Sequence, residues 1–153
     1  MIKKLFAPGN DSALTSFGLL VLRLWFGLTL LLYHGLDKLN HFSKTAPTFF
    51  DPFHIGSTTS FALVVFAEVG CAALVAIGLL TRFAALSLVI NFSVAFFLFH
   101  KQAMSGARSG ELAFMYLAAF AVLLFAVGGK FSLDKALFGK SSSKFSSSQP
   151  KKK

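Results

Sequence analysis

The stretch Leu19 to Leu39, LLVLRLWFGLTLLLYHGLDKL, limits what this chain can become more than any other. It is apolar enough to cross a bilayer, yet it carries Arg23, His34, Asp37 and Lys38. Hydrocarbon tolerates ionisable side chains only where they face protein, water or an interface, so their positions carry information. At about 100° per residue, Arg23, Gly27, His34 and Lys38 fall within an arc of about 60°. One stripe of this helix is therefore small and polar, and Leu, Trp and Phe cover the rest. The stripe is expected to face the interior of a membrane bundle.

Three more apolar runs supply the partners. The spans fall at about 16–39, 61–80, 83–99 and 112–129, each near the roughly 20 residues that a ~30 Å hydrocarbon core demands. Thr81-Arg82 reads as a tight turn between spans two and three. Residues 40–60, with Pro47, Pro52, His41 and His54, are too polar and proline-broken to cross. Of the 153 residues 55% are hydrophobic and only 14% charged, against about a quarter charged in soluble domains. The charges are absent from long runs rather than thinned evenly, so the fold class is an all-α, integral membrane four-helix bundle.

The ends read differently. Residues 1–15 form a polar lead, and the run after it is too long, and lacks the small-residue cleavage site, for a signal peptide. Ser132 is placed to cap a short helix, LDKALF, expected at the membrane surface. From residue 140 to 153 the chain is Ser/Lys-rich and expected to be disordered beside anionic lipid.

A net charge of +9 raises nucleic acid as a partner, but the basic residues sit in loops and tails with no soluble domain to present them. Topology accounts for them. Four spans put Lys3, Lys4, Arg82, Lys130, Lys135, Lys140, Lys144 and Lys151 to Lys153 on one face, and Lys38, Lys44, Lys101 and Arg108 on the other. Ten against four sets both termini in the cytoplasm by the positive-inside rule, with Lys3 and Lys4 beside the first span.

Depth, at about 1.5 Å per residue, sorts the polar groups into two layers. Arg23, Glu68, Asn91 and Tyr116 form a middle layer; His34, Asp37, Lys38, His100 and Glu111 form an outer one. Glu68 costs the most in hydrocarbon and must protonate or pair. Arg23 and Lys38 are the candidate partners. The pair is read as an ion pair docking spans one and two, or as a proton-handling or ligand-orienting carboxylate; the two readings are compatible. His34, His100 and Glu111 have ligand chemistry for a metal, but no two share the i, i+3 or i, i+4 spacing of a preformed helix site, so no metal is assigned. Interfacial histidines with ordinary hydrogen bonds are the plainer reading, and a headgroup or quinone-ring site the sharper one. Asn91 and His100, nine residues apart, should point to opposite faces. Tyr116 reads as a packing aromatic. Cys71, the single cysteine, reads as a small apolar filler and excludes an intrachain disulfide.

In order along the chain, RLWFG with LLYHGLDKL, then E..C.....GLLTRFAAL, a histidine ending span three, GELAFMYL and GGKFSLD resemble the DoxX family of small bacterial membrane proteins. The resemblance runs from about 16 to 137 and rests on order and spacing rather than on one diagnostic motif. It implies a four-helix bundle in the bacterial cytoplasmic membrane. Some family members are subunits of a thiosulfate:quinone oxidoreductase, and others are associated with sulfurtransferase and superoxide-dismutase partners in oxidant and thiol-stress defence. The family's polar positions fall on Arg23, His34, Lys38, Glu68, Arg82, His100 and Glu111. The proline often found beside the glycine pair is missing from GGKFSLD.

Two functions compete. One is a redox-associated subunit that binds quinone or anchors an enzyme that reduces it. The other is a non-catalytic scaffold holding soluble redox or sulfurtransferase enzymes at the bilayer. A small transporter is disfavoured, because span four offers almost no polar path. Catalytic activity and oligomeric assembly are left open.

Overall fold

Long runs without proline or charge leave the backbone one solution in lipid, which is to satisfy its own hydrogen bonds as helix. The computed structural model describes residues 12–126 and 131–138, and they are helical throughout with connecting turns; no strand occurs among the described residues. Helix α1 is Ala13–Asn40, α3 is Ser57–Ile77 and α4 is Thr81–Phe99, each long and apolar enough to cross a membrane. Helix α5, Glu111–Ala126, is shorter. A short α2, Phe42–Thr45, runs into a 3-10 turn, Ala46–Thr48, and a short α6, Leu133–Phe138, follows α5. The expected last residues of span four, 127–129, and the Ser/Lys tail from 140 lie outside the described residues.

Helix α4 packs along α5, and α1 packs along the C-terminal part of α3. Lipid offers little hydrophobic drive between helices, so close approach of small residues has to supply dispersion contact. The α1–α3 seam has that character. A Cβ on Gly27 would lie 3.1 Å from both the Ala72 carbonyl oxygen and the Ala76 Cβ. A Cβ on Gly35 would collide with the Glu68 carbonyl. Behind this seam Leu30, Cys71, Val75, Ala84, Leu88, Phe120 and Leu123 are completely buried. Cys71 is a free, buried filler of that core. On the outside, Trp25, Tyr33 and Phe125 are 71%, 75% and 81% exposed. Aromatic surface of that extent is a liability in water and a fitting face for lipid.

Each of the three long helices contains a π-helical segment: Leu30–Gly35, Phe66–Cys71 and Val94–Phe99. Such segments concentrate at functional sites because they re-aim side chains without ending the helix. The first contains His34 and the second contains Glu68.

The α3–α4 turn lies one step earlier than Thr81-Arg82, which already belong to α4. Helix α3 ends at Gly78, whose φ of 74° and N–H bonds to the Leu74 and Val75 carbonyls (2.9 and 3.1 Å) make a left-handed C-cap. The C-terminal α6 leaves Leu133 and Leu137 exposed, in keeping with a surface helix, and one acidic residue ties it to the bundle. Its Asp134 carboxylate accepts from the backbone N–H groups of Leu80 (2.7 Å) and Thr81 (2.9 Å), capping α4. Ser132 is buried, and its hydroxyl accepts from the Lys135 N–H at 3.2 Å as the cap of α6.

Candidate functional site

Two polar clusters occupy opposite ends of the bundle. The first is built on Glu68. The π segment of α3 turns this side chain inward, where it is 5% exposed. Lys38, one turn beyond His34 on α1, meets it with Nζ 2.5 Å from Oε2. Asn91 on α4 donates from Nδ2 to Oε1 at 3.3 Å. Three helices thus converge on one carboxylate, and each of its oxygens has a partner. The Lys38 side chain keeps 28% exposure, so the pair is sealed on the Glu68 side and touches the rim on the other.

This cluster floors a cavity of about 610 Å³. That volume suits a small organic ligand with an apolar body. Phe92, Phe99, Tyr116 and Ala113 stand among its walls, and His34 and His100 also line it. Its roof comes from the 49–55 loop, which contributes Phe49, Phe50 and Phe53. The loop is tied down by Asp51. The Asp51 carboxylate accepts from the Ser60 hydroxyl (2.8 Å) and from the N–H groups of Gly56 (2.8 Å) and Ile55 (3.2 Å). Desolvation works to raise the Asp51 carboxyl, but the Ser60 hydroxyl, those N–H groups and nearby His54 outweigh it and hold it below its ordinary value. Phe49 packs on Phe61 (ring centres 4.7 Å apart) and Phe50 on Phe99 (5.5 Å).

Tyr116 is the pivot of the wall. Its ring stacks on Phe92 (5.0 Å, 15°) and Phe120 (6.0 Å, 10°). It meets Phe26 and His34 edge-on, at 5.7 and 5.8 Å.

The second cluster surrounds Arg23, which is fully buried. Arg23 does not pair with Glu68, and the middle layer that placed them together is corrected. Its Nη2 donates to the Phe131 carbonyl at 3.0 Å, and its guanidinium lies against Gly78. Asp134 supplies the nearby negative charge. Burial tends to raise the Asp134 carboxyl, but bonds from Thr81 and Leu80 and the Arg23 charge hold it below its ordinary value of 3.8.

The sequence candidates therefore separate. Lys38, Glu68, His34 and His100 come together around the cavity. Arg23 goes to the opposite end. Glu111 stays exposed at the first turn of α5, where its N–H bonds the Ser109 hydroxyl at 3.2 Å. His100 spends its Nδ1 on the Arg108 carbonyl (2.9 Å), which closes the loop before α5. Among the described residues no group of three His, Cys, Asp or Glu is placed to hold a metal. Asn91 and His100 both line the cavity, against the expectation of opposite faces. The π segment Val94–Phe99 lies between them and departs from the α-helical spacing on which that expectation rested. Sequence reasoning missed the aromatic roof and the cap made by Asp134; for Asn91 and Tyr116 the depth shared with Glu68 was the available signal.

The family model described as DoxX matches residues 18–101, more than half of the chain. The chain belongs to the DoxX family. The matched part of this DoxX protein holds Lys38, Glu68, Asn91 and the aromatic roof, while α5 with Tyr116 lies beyond it. Comparisons with curated proteins and with solved structures give no match. Its long apolar helices make it a multi-pass membrane protein.

Proposed function

We propose that this DoxX protein is a redox-associated subunit of the bacterial cytoplasmic membrane that holds a quinone-type ligand between α1, α3, α4 and α5. One observation carries the reading. An aromatic cavity of about 610 Å³ has the Lys38–Glu68–Asn91 cluster as its polar floor. A ligand that partitions into lipid and carries ring oxygens needs an apolar slot with a few convergent polar groups. The two chain ends are assigned to the cytoplasm from the basic-residue bias, which places the cavity in the outer half of the bilayer.

Purification in mild detergent followed by mass spectrometry of extracted small molecules tests this. Retained quinone, lost in Glu68→Gln with the helical content unchanged, supports the reading. Stoichiometric soluble redox or sulfurtransferase enzyme with no small molecule supports the scaffold instead.

A further inference from the structure

The Tyr116 hydroxyl and the His34 ring both line the cavity, and neither has a hydrogen-bond partner among the described residues. Tyr116 is only 3% exposed. Among the described residues the hydroxyl is not one of the sealed side-chain atoms without a partner, which are Arg23 Nε and Nη1 and Thr81 Oγ1, so it opens onto the cavity, where a ligand can meet it. The ring has no freedom to seek one elsewhere, since Phe92, Phe120 and Phe26 hold it on three sides. His34 sits edge-on to it with ring centres 5.8 Å apart, and both residues line the cavity.

The charge balance narrows what can sit there. Lys38 carries the cation of the cavity floor, and it is already paired with Glu68 at 2.5 Å. The pair sums to zero. An anionic headgroup would bring a second negative charge beside the Glu68 carboxylate, with its cation already neutralised, whereas a neutral oxygen acceptor adds no charge.

We propose that Tyr116 and His34 form the headgroup subsite of this cavity, taking a neutral carbonyl oxygen of a quinone-type ring rather than an anionic lipid headgroup. The inference rests on the reading of the cavity as a quinone site and adds the residues and the charge state that select the ligand. Tyr116 donates its hydroxyl proton to the carbonyl. His34 supplies the adjoining polar edge, and the Lys38–Glu68 pair stays closed beneath.

The experiment uses the full chain in lipid nanodiscs, with empty nanodiscs as the partition control. The probes are a short-tailed benzoquinone, an alkylbenzene of equal tail length, and oleate. The benzoquinone should bind, and Tyr116→Phe should weaken it about 5- to 10-fold, the loss of one hydrogen bond. The alkylbenzene should bind equally to both forms, and oleate more weakly than the benzoquinone. Unchanged benzoquinone affinity in an assembled Tyr116→Phe protein overturns the subsite, and so does oleate binding as tight as that of benzoquinone. If Tyr116→Phe fails to assemble, His34→Phe carries the same comparison. No benzoquinone binding by the unaltered protein removes the reading of the cavity itself, an outcome distinct from the other two.

Discussion

The two ends of this bundle use nearly the same chemistry for different purposes. At one end Lys38 meets Glu68, and at the other Arg23 lies near Asp134, so each end places a cation beside a carboxylate. The difference is in what fills the remaining space. Around Arg23 the chain itself closes in, with the Phe131 carbonyl on Nη2 and Gly78 against the guanidinium. Around Glu68 the helices leave about 610 Å³ empty. A buried charged pair is therefore weak grounds for function on its own, and the volume beside it decides.

The comparison can be broken most sharply at Lys38. Lys38→Met leaves the Glu68 carboxylate buried without its cation, a change that costs about 3–5 kcal/mol in comparable buried pairs. Replacing both, as Lys38→Met with Glu68→Leu, should restore most of the thermal stability in detergent while abolishing quinone retention. A double variant that still retained quinone would strip the polar floor of its role.

Arg23→Leu should produce the opposite pattern. It removes a hydrogen bond from a charged donor and should cost about 1.5–3 kcal/mol. Quinone retention by the surviving folded protein should be unchanged, because nothing at that end lines the cavity. Loss of the ligand in Arg23→Leu, measured at a temperature where the protein is fully assembled, would mean that the two ends are coupled.

How far the sequence foretold this division depends on the residue. The helices and the inward stripe of α1 followed from periodicity, since Arg23, Gly27, His34 and Lys38 lie on one side of any α-helix. Glu68 announced itself by its cost in hydrocarbon. Its partner was harder, because depth along a helix axis carries no information on rotation or on the third dimension. Depth put Arg23 in the layer of Glu68 and Lys38 in the outer one, yet the packing of α1 on α3 brings Lys38 to the carboxylate. The π segments were invisible in the sequence, and one of them lies between Asn91 and His100, which both line the cavity. The roof is a loop property. Phe49, Phe50 and Phe53 fold over the cavity because Asp51 pins their loop to Ser60, a contact between residues with no periodic signature.

Gly78→Ala sharpens the view that the Arg23 end is filled space. A methyl there must adopt a φ of 74° and also enter the guanidinium position. Overpacking of that kind costs about 1–3 kcal/mol. In an Arg23→Leu background the penalty should shrink toward the cost of the backbone alone, on the order of 1 kcal/mol. Equal penalties in both backgrounds would show that the guanidinium does not occupy that space.

The smallest effect concerns Asp134, and it separates charge from geometry at the same end. The carboxylate caps α4 through Leu80 and Thr81, and Asp134→Ala should cost on the order of 1 kcal/mol, as losing a helix N-cap does. Asp134 titrates below its ordinary value of 3.8 in the folded protein, so the unfolded chain binds the proton more readily. Its contribution is therefore complete above that ordinary value and fades as pH falls through the lowered one. Asp134→Asn retains cap geometry without the titration. It should keep most of the stability at neutral pH and lose Asp134's share of the acid dependence in detergent melts below about pH 4, leaving the share of Asp51, which is also held below its ordinary value. If Asp134→Asn melts with the same acid slope, the titrating group at this end lies elsewhere, and α6 is held by the backbone bond from the Asp134 N–H to the Gly78 carbonyl and by Arg23 on Phe131 alone.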